Sequence, residues 1–315
     1  MTSLCIDFGG TVIKIGLLDC SQVIAMRALP SFGLETDLAA VSAAAHSLLA
    51  GTDSSPVTGV GIAMPGVVDQ VRGCLVAAHD KYGYALGMDI RTWAGNEFGA
   101  PVAIENDARA ALIGETQYGC AVGEQDVVLI ILGTGVGTAA LIEGRVLRGA
   151  HDHAGILGGH TTIQLAGPPC NCGNIGCAEA IASTWALERA VRAHPRLAAS
   201  SWWTTRLTSG HLGIKDLLDS QDDGVSRDIL DVFIGAWGAA ISGLCNSYDP
   251  EVVIISGGVM RSADALLPRL EAAAVAHLWP SAHRPRFVTP AGPEHSVLLG
   301  LSVLATQAAE ENRHL

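Results

Sequence analysis

Twice in this 315-residue chain a hydrophobic strand-like run enters a glycine turn and leaves as a second strand. Residues 4–8 lead through Gly9-Gly10-Thr11 into 12–18, and residues 127–132 lead through the glycines at 133, 135 and 137 into 138–142. A chain that continues as a strand after its glycines makes a hairpin, not the strand-to-helix turn of a dinucleotide fold. No Gly-Lys-Ser/Thr follows either turn, which excludes a Walker-type loop. Two such hairpins, each opening one half, point to two similar halves, matching about 150 residues per domain. Further strands are expected at 57–63, 102–105 and 251–256, and helices at 37–49, 108–118, 177–194, 225–248, 263–277 and 297–309. Helices alternating with strands indicate an α/β class with substantial parallel pairing. The seam falls near 118–125, and the polar stretch 195–224 reads as an irregular surface excursion.

The balance of 19 basic to 31 acidic residues leaves a net charge of −12. Phosphate backbones need clustered Lys and Arg, so no nucleic-acid partner is expected. Only three residues are Lys (Lys14, Lys81, Lys215), which makes each informative. The longest uncharged stretch, 127–142, is short and glycine-broken, so no membrane span is expected. With no basic leader ahead of the first strand, the expectation is a soluble cytoplasmic protein, and its eight Cys are thiols or metal ligands rather than a disulfide framework.

Five segments carry chemistry. In the first, Asp7 ends a buried strand and Gly9, Gly10 and Thr11 follow, with Lys14 beyond. Consecutive glycine N–H groups can cradle an anion, Thr11 adds a hydroxyl, and Asp7 can hold Mg²⁺ through water. An ordinary hairpin with a satisfied Asp fits the same residues. The second segment repeats that logic with Gly133, Thr134, Gly135 and Gly137. The third, Glu105-Asn106-Asp107, joins a strand end to a helix start. It reads either as a helix cap or as a base with an orienting amide, placed where α/β sheets bind ligands. The fourth joins His160 to Cys170, Cys172 and Cys177, a Cys₃His zinc set with all four positions filled by protein and therefore structural. The fifth, Gly257-Gly258 after a buried strand, allows a flat ligand such as adenine to approach, or is a plain turn.

Taken in order, these segments resemble the ROK family (repressor, open reading frame, kinase) of the actin–hexokinase superfamily over nearly the whole chain. The segment 7–14 is similar to its first phosphate motif, and Pro65-Gly66 to the segment beside the sugar. Glu105-Asn106-Asp107 is similar to the catalytic motif, 133–137 to the second phosphate motif, His160 with 170–183 to the zinc signature, and 248–258 to the adenosine region. The resemblance implies two actin-like (ribonuclease H-like) domains with a cleft: 1–120, with the C-terminal helix 297–315 packing back on it, and 121–296, carrying the zinc motif. It implies a homodimer and an ATP-Mg²⁺-dependent kinase of a sugar or sugar-like polyol. By resemblance Asp107 is the general base, Asn106 positions a hydroxyl, Gly66 meets the sugar by its backbone, and His160 and Glu179 also face it.

Two departures stand out. Relatives usually read Ala-Gly-Glu-Ile-Gly-His before the zinc motif, where this chain has Gly155-Ile-Leu-Gly-Gly-His160. The Glu that clasps sugar hydroxyls falls on Leu157, so a less polar acceptor than glucose is expected. The usual Asn-Leu/Trp segment is replaced by Asp80-Lys81-Tyr82-Gly83-Tyr84. The alternatives are a sugar-binding regulator without a DNA-binding domain, since no helix-turn-helix precedes Asp7, and a catalytically lapsed relative.

Overall fold

The computed structural model describes residues 1–52, 56–78, 81–210, 212–279 and 283–313. All seven residues of β1 (Thr2–Phe8) are buried, as befits the central strand of a sheet covered on both faces. β2 (Val12–Asp19) returns antiparallel with Phe8 opposite Ile13, and β3 (Gln22–Pro30) continues the meander to the edge. After α1 (Thr36–Ala50), β4 (Gly59–Met64) joins β1 in parallel. β5 (Val67–Asp69) and β6 (Cys74–Ala77) form a small hairpin. Asp89 caps α2 (Ile90–Phe98), accepting the Thr92 N–H at 2.8 Å. β7 (Val102–Asn106) then pairs in parallel with β4, and α3 (Asp107–Gln117) starts at once. The strand order is β3-β2-β1-β4-β7.

The second half repeats the plan. β8 (Val127–Leu132) and β9 (Val136–Ile142) are an antiparallel hairpin with the short β10 (Arg145–Val146) beyond. Next come α4 (Ala178–Ile181), α5 (Thr184–Arg192), α6 (Ser201–Arg206), α7 (Ile214–Asp219) and α8 (Gly224–Tyr248). β11 (Val252–Ser256) runs parallel to β8, and after α9 (Ala263–Val275) β12 (Arg286–Val288) runs parallel to β11. The order is β10-β9-β8-β11-β12. α8 is long and apolar enough to span a membrane, yet 67% of its most apolar window is buried, the mark of a core helix.

The chain divides into two compact units, Met1–Glu124 with Val146–Ala154 and Glu294–Leu315, and Gln125–Arg145 with Gly155–Pro293. α10 (Ser296–Arg313) belongs to the first, where it lies on α3, β4 and β1. Backbones meet there: a Cβ on Gly61 would stand 2.5 Å from the Leu301 oxygen, and one on Gly300 1.8 Å from the Ala110 oxygen. Larger residues would hold the helix off the sheet. Residues 314–315 of the helix expected at 297–315, and Asp80, lie outside the described residues.

Three local expectations need correction. The single helix expected at 177–194 is two, because Ser183 caps α5 by accepting the Ala186 N–H, while Trp237 Nε1 takes the Ala182 carbonyl at 2.7 Å. The stretch expected to be irregular at 195–224 contains the helices α6 and α7: Ser200 caps α6, and the fully buried Trp203 donates to Ser226 Oγ at 2.7 Å. β3 was not expected, since its largely exposed positions leave little apolar pattern.

Candidate functional site

In the first unit, the candidate residues converge at the carboxyl ends of β1 and β7. Asp7 is buried in β1, and Lys14 on β2 sits opposite it, Nζ 3.7 Å from Asp7 Oδ2. Lys14 Nζ also donates to the Glu294 carbonyl at 3.1 Å, so it is more than an exposed strand lysine. Gly9, Gly10 and Thr11 form the turn between the two strands.

Asn106 ends β7 and is the N-cap of α3, its Oδ1 accepting the Arg109 N–H at 3.1 Å. That is the helix cap read from sequence. The same side chain also donates through Nδ2 to the Gly66 carbonyl at 2.9 Å and to Asp107 Oδ1 at 3.0 Å. Gly66 has φ +106°, and a Cβ there would stand 2.2 Å from the Ala77 oxygen, so only glycine fits. Asp107 takes the Ala108 N–H at 2.8 Å as well. Burial, and secondly the charge of Asp7, push the Asp107 carboxyl up to about 7. Burial pushes Asp7 up to about 6, with Lys14 pulling the other way. A carboxylate with such a value, part of its surface still open, can accept a proton near neutral pH.

Sequence reasoning missed what holds this motif. Glu105 is fully buried and bound by Arg148 Nη2 at 2.5 Å, Gln70 Nε2 at 2.7 Å and the Asn106 N–H at 2.8 Å. Arg109, also fully buried, lies 3.8 Å from Glu105 and donates to the carbonyls of Leu147, Asp152 and Ala154. It thereby ties 146–154 to the first unit. An arginine one turn into a helix gives no signal of this kind.

In the second unit, Gly133, Thr134 and Gly135 make the turn from β8 to β9, whereas Gly137 lies within β9 opposite Ile131. Thr184 holds the Gly133 carbonyl through N–H and Oγ1, both at 3.0 Å. Glu179, in α4, accepts the Val136 N–H through Oε2 at 2.8 Å, and Oε1 takes Trp185 Nε1 at 3.4 Å. Gly257 follows β11 with φ +101°, and a Cβ there would stand 2.2 Å from the Leu132 oxygen, beside the turn. Gly258 has open space around it.

His160, Cys170, Cys172 and Cys177 are brought together, their ligand atoms all within 4.8 Å of one another. Cys172 Sγ lies 3.7 Å from Cys177 Sγ, and Cys170 Sγ 3.6 Å from His160 Nδ1. A tetrahedral zinc with Zn–S of about 2.3 Å and Zn–N of about 2.05 Å requires edges of about 3.8 and about 3.6 Å. The donor set therefore fits zinc. Leu157 precedes the helical turn Gly158–His160 and is 40% exposed, not packed into the core. Thr138 anchors its loop, with Oγ1 donating to the Gly155 carbonyl at 2.7 Å and accepting the Gly158 N–H at 2.9 Å. A groove of about 620 Å³ along edge strand β7 and α10 is lined by none of the candidate residues.

These two sheets, each opening on a glycine-turned hairpin, define an actin-like α/β fold, and comparison with known proteins names the family. Residues 3–308 match the ROK family, and the chain belongs to it. It is 29% identical to a glucokinase of Thermotoga maritima over 280 residues, covering 88% of each chain. It is 26% identical to a xylose repressor of Bacillus spizizenii, over 75% of this chain and 58% of that one. A ROK family glucokinase from Streptomyces griseus, solved with glucose and AMPPNP, superposes with a TM-score of 0.83 at 26% identity, over 98% of this chain and all of that one. The two-domain actin-like fold expected from sequence is thus the fold of the chain.

Proposed function

We propose that this chain is an ATP-dependent kinase that transfers the γ-phosphoryl group to a hydroxyl of a sugar or sugar-like polyol. The observation that carries the reading is Asp107: a desolvated carboxyl raised to about 7, oriented by Asn106, on the unit that also holds the Gly9-Gly10 turn. Phosphoryl transfer asks for positioning and charge stabilisation more than covalent chemistry. In this reading Asp107 accepts the acceptor hydroxyl's proton, Asn106 orients that hydroxyl, and Gly66 meets the sugar through its backbone. Asp7 would hold Mg²⁺, which would supply charge stabilisation at the phosphates, while Gly9, Gly10, Thr11 and Lys14 serve one end of the phosphate chain. Gly133, Thr134, Gly135 and Gly137 serve the nucleotide in the second unit, with Gly257 and Gly258 beside the adenine. His160 and Glu179 address the sugar, Glu179 through Oε1, whose bond to Trp185 is long. The glucokinase relatives support the reaction class.

Zinc at His160, Cys170, Cys172 and Cys177 would fix the loop carrying His160, and the donor spacing supports it. With every ligand position filled by protein, its part is structural.

The repressor relatives favour a second reading, a sugar-binding regulator. Sugar binding alone gives no reason to desolvate Asp107 beside Asp7. A coupled ADP-release assay over hexoses, aminosugars, deoxy- and anhydro-sugars and cyclitols tests the two. The kinase reading expects acceptor-dependent ADP release with at least one class. Thermal stabilisation by a sugar with no ADP release across the panel would favour the regulator.

A further inference from the structure

The replacement at 81–84 meets the first glycine turn. Tyr82 is fully buried and left-handed, φ +64°, a conformation that a non-glycine residue keeps only where its surroundings enforce it. Its ring packs edge-on against Phe8, centroids 5.9 Å apart, immediately before the turn. Its hydroxyl donates to the Gly9 carbonyl at 2.8 Å and lies 2.6 Å from Ser31 Oγ. A tyrosine has one hydroxyl proton, so Ser31 donates to Tyr82 and Tyr82 to Gly9. Lys81 Nζ donates to the Gly10 carbonyl and, at 3.1 Å, to the Ser31 carbonyl. The Ser31 N–H closes the set on the Thr11 carbonyl at 3.0 Å.

In a planar trans peptide the N–H points opposite to the C=O. With the Gly9 and Gly10 carbonyls drawn toward Tyr82 and Lys81, the N–H groups of Gly10 and Thr11 face the other way. Gly10 and Thr11 are exposed, so those N–H groups point where an anion can reach them.

We infer that Lys81 and Tyr82 are positioning residues that latch the Gly9–Thr11 turn from behind, holding consecutive N–H groups toward the terminal phosphates of the nucleotide. The inference rests on the proposed role of that turn as a phosphate site. Removing either donor frees a carbonyl to rotate and lets the N–H groups scatter. The loss falls on the part of the nucleotide that the turn holds, and not on the nucleoside.

The test is calorimetric titration of Mg²⁺ with AMPPNP, and of AMP, into wild type, Tyr82→Phe, Lys81→Met and Gly9→Ala. Tyr82→Phe keeps the ring against Phe8 and removes only the hydroxyl. Lys81→Met changes an exposed side chain and carries the test if Tyr82→Phe does not fold. Gly9→Ala is the control on the turn itself, since its Cβ would stand 2.6 Å from the Val12 oxygen. Tyr82→Phe and Lys81→Met should each weaken AMPPNP about ten-fold while AMP stays within about two-fold, which corresponds to roughly one hydrogen bond. A merely destabilised protein would lose both nucleotides alike, and that result overturns the latch. So does a Gly9→Ala protein that selectively loses AMPPNP while Tyr82→Phe and Lys81→Met keep it. If Gly9→Ala also fails to separate AMPPNP from AMP, the turn is no phosphate site, and the latch falls with it.

Discussion

The Asn106 side-chain amide stands 3.0 Å from Asp107 Oδ1 while the same residue caps the helix that Asp107 begins. The bland reading of this motif, a helix cap, and the chemical one, an oriented base, are therefore not rivals. Asn106 performs the cap, which leaves Asp107 free of that duty.

Asp107 should limit both stability and activity through pH. Its folded value of about 7 and the about 6 of Asp7 both lie above the ordinary 3.8. Between those limits the folded state binds more protons than the unfolded chain, so this contribution favours folding below pH about 4 and is lost as pH rises toward 7. Asp107→Asn keeps an oxygen for the Ala108 N–H and removes the charge. Its Tm should exceed that of wild type at pH 8, with the gap closing toward pH 4; an unchanged or lower Tm at pH 8 contradicts the assignment. The pH profile of kcat/KM should show an acidic limb near 7 that belongs to the Asp7–Asp107 pair jointly.

Arg109 should be a stability residue. Replacing it with Met orphans the carbonyls of Leu147, Asp152 and Ala154 and removes a cation from buried Glu105. Breaking such a buried group costs about 3–5 kcal/mol. Chemical denaturation reads this directly, and a loss below about 1 kcal/mol would show that the network carries little.

One zinc per chain is expected by elemental analysis of protein purified without added metal. Cys172→Ser should lower both the metal content and the melting temperature, because metal binding is folding energy for its loop. Substoichiometric metal that is indifferent to this substitution contradicts the site.

Leu157 should select the acceptor. The family resemblance implies a Glu in this position, and a Leu facing the acceptor would leave sugar hydroxyls unpaired, at about 1–3 kcal/mol per group. That is roughly 5- to 150-fold in kcat/KM, at tenfold per 1.4 kcal/mol. Leu157→Glu should raise activity on a fully hydroxylated hexose relative to the native acceptor. At 40% exposure the new carboxylate stays solvated, so the melting temperature should hold. A lower melting temperature with no change in preference would retire the claim.

Much of this was readable in the chain. The two hairpins, the parallel strands and the clustering of His160 with Cys170, Cys172 and Cys177 follow from hydrophobic runs, glycines and spacing, which are local. What escaped was non-local or weakly patterned. β3 alternates without much burial, Trp203 is one of two adjacent tryptophans in a polar stretch, and the bonds of Tyr82 to Gly9 and Arg109 to Ala154 join residues 73 and 45 positions apart. Backbone carbonyls are the acceptors in both, and they leave no mark in a sequence.

The central claim is that Asp107 is the base of a phosphoryl transfer, and kcat measured with nucleotide affinity on Asp107→Asn tests it most directly. With the acceptor that the ADP-release panel identifies, kcat should fall on the order of 10²–10⁴-fold while the affinity for Mg²⁺-AMPPNP stays within about three-fold. Turnover near that of wild type, with affinity unchanged, would contradict the account.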